Sequence, residues 1–289
     1  MLKTVLLNEQ LKNIKGATLV LGGFDGLHFG HKKLLEKARS FGLPVGIMTI
    51  FGGKTESFLY TKLEREKIFK DAGIDFVFEM QFDEIKDLSR QAFADSLIKE
   101  FLPIYFVCGE DFRFGKDALG TPDFLRESTQ VCVEVCALEK INGQKVSSRM
   151  VRELLKNGDI EQANTLLSGE FSLVGEVVNG RKIGRTIGFP TANIVYPNEK
   201  CKIAFGVYQT KMEVDGTIYN GITNYGARPT FEDENVLIET HLDGFSGDLY
   251  GKTLKIDFVR YLRPVQKFEN VERLKEQLTE DIRRIRGND

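Results

Sequence analysis

At 289 residues the chain is about twice the ~150 residues typical of one domain, so two domains are expected, each large enough for its own core. Lysine plus arginine number 40 against 42 acidic residues, a formal net charge of −2; this lacks the global positive field that nucleic acid or an anionic membrane would call for. The longest apolar runs fall far short of the ~20 residues of a membrane span, and Met1-Leu2-Lys3-Thr4 does not read as a secretory signal, so a soluble, cytoplasmic protein is expected.

In chain order, residues 17–21, 45–51, 76–80, 104–108 and 131–138 read as buried or alternating strands. Helical patterns lie between them. Thr61-Lys62-Leu63-Glu64 forms a capping box, with Leu63, Phe69 and Ala72 available for packing and Gly73 placed to stop the helix. From Ser89 onward, Phe93, Leu97 and Phe101 recur on one helix face. Such alternation predicts an α/β, Rossmann-like parallel sheet covered by helices on both faces.

Two short helical segments, 150–155 and 160–167, break at Asn157-Gly158 and predict a connector over 156–170 between domains 1–155 and 171–289. Beyond it the grammar changes to strands and turns: 171–178 ends at Asn179-Gly180, 207–214 ends at Asp215-Gly216, and 218–223, 236–242 and 254–262 follow. Antiparallel strands without helical cover predict a small closed β-barrel. The chain then ends in a helix whose stripe of Val271, Leu274, Leu278, Ile282 and Ile285 would lie on that barrel. Cys108, Cys132, Cys136 and Cys201 have neither CxxC spacing nor a nearby histidine, so they are read as reduced core residues with no zinc.

Two of the three histidines fall in Gly22-Gly23-Phe24-Asp25-Gly26-Leu27-His28-Phe29-Gly30-His31, between the first strong strand and a helix carrying Leu34, Leu35 and Ala38. Glycines admit a ligand close to the backbone, and a helix N-terminus offers unpaired N–H groups and positive potential, which suits a phosphate. Imidazoles there add donors that follow charge onto a phosphate in the transition state. A single histidine near a helix start is more often a cap or core residue, but the full string resembles the HxGH nucleotidyltransferase superfamily, and its FAD synthetase branch in particular. Two further stretches agree in order. Phe106-Val107-Cys108-Gly109-Glu110-Asp111-Phe112-Arg113-Phe114-Gly115 is similar to that family's GxDFxFG element, and Val146-Ser147-Ser148-Arg149-Met150-Val151-Arg152 to its SSTxIR element.

In the second half, Gly184-Arg185-Thr186-Ile187-Gly188-Phe189-Pro190-Thr191-Ala192-Asn193 has the make-up of a phosphate-contacting loop. It resembles the GRxxGFPTAN element of riboflavin kinases. Gly206-Val207-Tyr208, Asn224-Tyr225-Gly226-Ala227-Arg228-Pro229-Thr230, and Glu239-Thr240-His241-Leu242 through Asp248-Leu249-Tyr250-Gly251 continue the likeness. Two strings that suggest a Walker A loop, at Gly53-Lys54-Thr55 and at 247–253, fail its spacing or its strand-to-helix context.

The resemblance to bacterial bifunctional riboflavin kinase/FAD synthetases spans nearly the whole chain. It implies phosphorylation of riboflavin to FMN by the second domain and adenylyl transfer from ATP to FMN by the first. In the first domain it implies His28 and His31 as catalytic, Gly23, Phe24, Asp25, Gly30, Ser147, Ser148 and Arg152 at ATP and its phosphates, and Gly109, Asp111 and Phe112 at flavin or nucleotide. In the second it implies Glu239 as the catalytic carboxylate, Gly184, Gly188, Phe189 and Pro190 at ATP, and Thr191 and Asn193 beside Mg²⁺. His241 receives no catalytic role. The implied partners are the small molecules riboflavin, FMN and ATP, with no nucleic acid, no membrane and at most weak self-association. Two departures from the family pattern are Thr49-Ile50-Phe51-Gly52-Gly53-Lys54, where a TFxPxP-like segment is usual, and Arg149, where threonine is usual. They motivate an alternative, a riboflavin kinase with weakened or lost adenylyltransferase activity; a non-catalytic flavin-binding regulator is another.

Overall fold

The structure, a computed structural model, describes residues 3–52, 57–141, 143–180, 184, 187–226 and 236–287. The chain divides into two compact units, 1–148 and 149–289.

The first unit holds strands β1 (Lys3–Leu6), β2 (Thr18–Leu21), β3 (Val45–Phe51), β4 (Phe76–Gln81), β5 (Tyr105–Gly109) and β6 (Cys132–Cys136) in one sheet of order β1-β4-β3-β2-β5-β6. Five are parallel as expected; β1, which has no sequence signature of its own, adds antiparallel to β4 at the edge. The crossover segments are α1 (Phe29–Arg39), α2 (Lys62–Asp71), α3 (Phe82–Ile85) with α4 (Arg90–Phe101), and α5 (Pro122–Ser128). Alternation along the strands sends Val20, Ile47, Val77 and Val107 to one core with Leu34, Leu35 and Ala38 of α1. Leu19, Leu21, Met48, Phe76 and Phe106 go to the other, with Phe93, Leu97 and Phe101 of α4. A hairpin of β7 (Lys140–Ile141) and β8 (Gln144–Lys145) forms a separate two-stranded sheet.

The α2 capping box forms as read: Thr61 Oγ1 accepts from the Glu64 N–H at 3.3 Å and Glu64 Oε2 from the Thr61 N–H at 2.7 Å. At its far end Gly73 takes φ +68°, and the Ile74 and Gly73 N–H groups cap the Phe69 and Lys70 carbonyls. One packing expectation is corrected. Leu63 is exposed, and Arg65 takes the inward place, its guanidinium 4.4 Å from the Phe51 ring centroid and 4.7 Å from that of Phe58. Cys132 also departs from the core reading, because it lies exposed on the edge strand β6; Cys108 and Cys201 are buried, and all four cysteines are free.

In the second unit, α6 (Ser148–Asn157) and α7 (Ile160–Leu166) break at Gly158, φ +88°. They precede β9 (Ser172–Val178), β10 (Thr191–Val195), β11 (Gly206–Val214), β12 (Thr217–Tyr225), β13 (Leu237–Leu242), β14 (Thr253–Arg263) and α8 (Val271–Ile285). The strands close into an antiparallel barrel, β10-β13-β12-β11-β14-β9. Asp215-Gly216 makes the expected two-residue turn, both residues at positive φ, which matches the twist of β11 and β12. Inside the barrel, three fully buried hydroxyls satisfy one another: Thr210 to Thr223 and Thr223 to Thr240, each 2.8 Å. The region read as a glycine-rich loop is a strand from Thr191 onward, because each of its residues pairs with β13.

Helix α8 is clamped to the barrel. Arg263 of β14 grips the fully buried Asp281 with Nε at 3.0 and 3.1 Å and Nη2 at 2.7 Å. Its apolar stripe is only partly covered. Ile285 is buried and Ile282 packs on Val207 and Ile222, while Leu274 and Leu278 remain half-exposed and Val271 is exposed.

Candidate functional site

At the C-terminal ends of β2 and β5 the sheet order reverses direction, the place where open α/β sheets leave a crevice for ligands. A cavity of about 460 Å³ lies there. Its wall brings together Gly23, Phe24, His28, Gly30 and His31 after β2, Gly109, Asp111 and Phe112 after β5, and Ser147 and Ser148 at the end of the unit. Three separated sequence elements thus meet at one place.

His28 is the N-cap residue of α1 and His31 lies one turn in. Both are buried, and their rings stack with centroids 3.6 Å apart and planes 16° from parallel. Gly30 makes this possible, since a Cβ there would sit 3.2 Å from two atoms of the His28 ring. Phe24 closes the other side of His31 at 4.4 Å between centroids. Nδ1 of His31 accepts from the His28 backbone N–H at 3.4 Å, which places the proton of a neutral ring on Nε2. Nδ1 of His28 is buried without a partner, and the first turn of α1 carries no acidic side chain to compete for an anion. Burial, and then the Lys145 ammonium, push His28 down to about 4. Burial and then His28 hold His31 well below the usual imidazole range.

Both rings are therefore neutral near pH 7. An unfolded chain takes up protons near 6.5 that the folded His28 refuses until about 4, so the first unit loses stability as pH falls through that window. His28→Gln is expected to flatten this loss. Urea midpoints at about pH 7 and about pH 5 check it, and an equally steep acid loss in the variant would count against the argument.

Other residues are not part of that wall. Asp25 is not among the residues lining the cavity, and both its carboxylate oxygens accept from the Leu59 N–H, at 2.9 and 3.0 Å. Phe114 joins the core with Phe93 and Phe124. Arg152 lies on α6 in the second unit, as does Arg149, which is exposed and pairs with Glu153 at 3.0 Å. Gly53 and Lys54 lie outside the described residues. Lys145 carried no sequence signal, yet it lines the cavity and lowers both imidazoles.

In the second unit two cavities share a wall. One, about 550 Å³, is lined by Pro190, Thr191, Asn193, Thr240 and the 245–250 segment. The other, about 300 Å³, is bounded by Gly184, Phe189, Thr191, Asn224, Glu239, His241 and Arg263, with Leu274 and Leu278 of α8 above it. Thr191 lines both. Because Ile238 and Thr240 point into the barrel, Glu239 between them faces outward. It stands opposite Asn193 on one neighbouring strand and Asn224 on the other, so the three form a row on one face. The buried Asn193 amide occupies the space a Cβ at Gly180 would fill, and its Nδ2 donates to the Thr191 carbonyl at 3.3 Å, which leaves Oδ1 as the acceptor. His241 Nδ1 lies 2.9 Å from the Pro190 carbonyl, and its ring meets that of Phe189 edge-on at 5.2 Å, so it positions this turn. Gly188 is outside both walls. Arg185, Thr186 and 227–230 lie outside the described residues.

A family model described as FAD synthetase matches residues 10–150, and one described as riboflavin kinase matches 167–288. The chain is 35% identical over 293 residues to the bifunctional riboflavin kinase/FMN adenylyltransferase of Bacillus subtilis, covering 94% of this chain and 91% of that one. It is 32% identical over 287 residues to the protein of the same name from Escherichia coli K12, covering 92% and 91%. A crystal structure described as a macrolide-efflux protein from Streptococcus pneumoniae superposes with a TM-score of 0.86 at 29% identity, covering 96% and 97%. Among the described residues no helix is long and apolar enough to cross a membrane.

Proposed function

The chain belongs to the bifunctional riboflavin kinase/FMN adenylyltransferase family, and from that premise we propose how its two units divide the work. It is an enzyme that phosphorylates riboflavin to FMN with ATP and transfers AMP from ATP to FMN, giving FAD and pyrophosphate. Adenylyl transfer falls to the cavity at His28 and His31, and phosphorylation to the paired cavities at Glu239. The observation that carries this division is that the two sets of chemical groups belong to different units: the stacked imidazoles lie within 1–148 and Glu239 with Thr191 and Asn193 within 149–289.

In the first site, the N-terminus of α1 and the neutral imidazoles meet the α-phosphate of ATP. The two stacked rings supply hydrogen-bonding groups at the point where the helix N-terminus and the glycines admit the phosphate. A phosphate oxygen of FMN attacks, and pyrophosphate leaves with the electron pair of the broken bond.

In the second site, the larger cavity takes ATP and the smaller, apolar one takes the flavin beneath α8. The Glu239 carboxylate accepts the proton of the ribityl hydroxyl as that oxygen attacks the γ-phosphate. Thr191 Oγ1 and Asn193 Oδ1 are hard, neutral oxygen donors of the kind Mg²⁺ takes beside phosphate oxygens. When bound, Mg²⁺ neutralises charge on the transferring phosphoryl group. We place the enzyme in the cytoplasm with riboflavin, FMN and ATP as its partners; its net charge of −2 favours neither nucleic acid nor membrane.

Incubating the purified chain with riboflavin and Mg-ATP and resolving the flavins by chromatography tests the reading. FAD is expected. FMN alone would mean that adenylyl transfer has been lost, and unchanged riboflavin would overturn both assignments.

A further inference from the structure

Lys145 ends the β7–β8 hairpin, two residues before Ser147. The hairpin is not part of the six-stranded sheet. It is tethered by the Val146 N–H to the Glu139 carbonyl at 3.1 Å, by an ion pair from Lys33 of α1 to Glu139, and by an ion pair from Lys145 to Asp111. Lys145 and Asp111 both line the cavity that holds His28 and His31, and both are half-exposed.

Two cations line this cavity among its described residues, and they are committed differently. Arg113 donates to the carbonyls of Phe112, at 2.8 Å, and Glu110, at 3.4 Å, so its guanidinium holds its own loop together. The Lys145 ammonium holds a side-chain carboxylate at the cavity edge, and an exposed pair of that kind is weak because water screens it. It is cheap to exchange for a polyphosphate, which offers more oxygens and more charge. Lys145 lines the same wall as both imidazoles and as Ser147 and Ser148, and its charge lowers both imidazoles.

We propose that Lys145 is a polyphosphate-binding residue of the adenylyl-transfer site, paired with Asp111 when the cavity is empty and moving to the leaving pyrophosphate when ATP is bound. This rests on the adenylyl-transfer reading. As the FMN phosphate oxygen bonds to the α-phosphorus, the bond from that phosphorus to the bridging oxygen breaks and its electron pair passes to pyrophosphate. Lys145 neutralises the charge that arrives there, and Asp111, released, is free for the incoming nucleotide or flavin.

The test uses the full chain with Lys145→Gln and Lys145→Arg, assayed for FAD formation from FMN and Mg-ATP and for inhibition by added pyrophosphate. Riboflavin phosphorylation is measured in the same preparations. Lys145→Gln is expected to raise both the KM for ATP and the half-inhibitory pyrophosphate concentration by about tenfold, the scale of one lost hydrogen bond to a charged group. Lys145→Arg is expected to recover most of this, and riboflavin phosphorylation to stay level. If Lys145→Gln forms no FAD at all, recovery by Lys145→Arg supports the assignment and continued loss overturns it. ATP and pyrophosphate values within about twofold of the parent, or a rise confined to the KM for FMN, would also overturn it. A parent chain that forms FMN but no FAD would instead remove the adenylyl-transfer reading on which it rests.

Discussion

His31→Ala abolishes FAD formation from FMN, with a loss of about 10²–10³-fold or more, and leaves riboflavin phosphorylation unchanged. The magnitude follows from what the ring holds. His31 lines the cavity, stacks on His28 at 3.6 Å, and receives the His28 backbone N–H that opens α1. Removing it takes away a donor that costs no reorganisation when charge develops, and it also frees the His28 ring from its stacking partner. His31→Gln, which keeps a polar side chain near the helix start, is expected to lose less. Single-turnover assays of both half-reactions on the same preparation decide it; equal losses in the two activities would refute the division between units.

The second large effect is its mirror image. Glu239→Gln lowers riboflavin phosphorylation by about 10²–10⁴-fold, the range for removing a positioned general base, and spares FAD formation when FMN is supplied. An amide preserves the size of the side chain in the row Asn193–Glu239–Asn224 but cannot take up the proton. The KM for riboflavin should therefore move little while kcat falls, because the cavity wall is kept and only proton acceptance is lost. A rise in KM without a fall in kcat would recast Glu239 as a binding residue.

Much of this architecture was legible where local chemistry and tertiary packing agree. The Thr61–Glu64 box, the Gly73 stop and the Asp215-Gly216 turn form as their residue types dictate, because each is settled within a few residues. Strand β10 was not, since glycines and Pro190 mask a strand whose pairing with β13 is made about 45 residues away. Leu63 misled for a related reason: an aromatic pair, Phe51 and Phe58, makes Arg65 the better inward residue, and neither lies on that helix. Of the sites, His28 and His31 stood out by spacing, and Glu239 only by family likeness. Lys145 was invisible as one of 40 basic residues until the fold placed it beside the imidazoles.

Leu274 and Leu278 roof a hollow instead of packed side chains, so the second unit is completed by what it binds. A flat ring system held beneath Leu274 and Leu278 would cover that part of the stripe, and a ligand that binds only the folded chain shifts folding by mass action, so riboflavin is expected to raise the unfolding midpoint of the second unit.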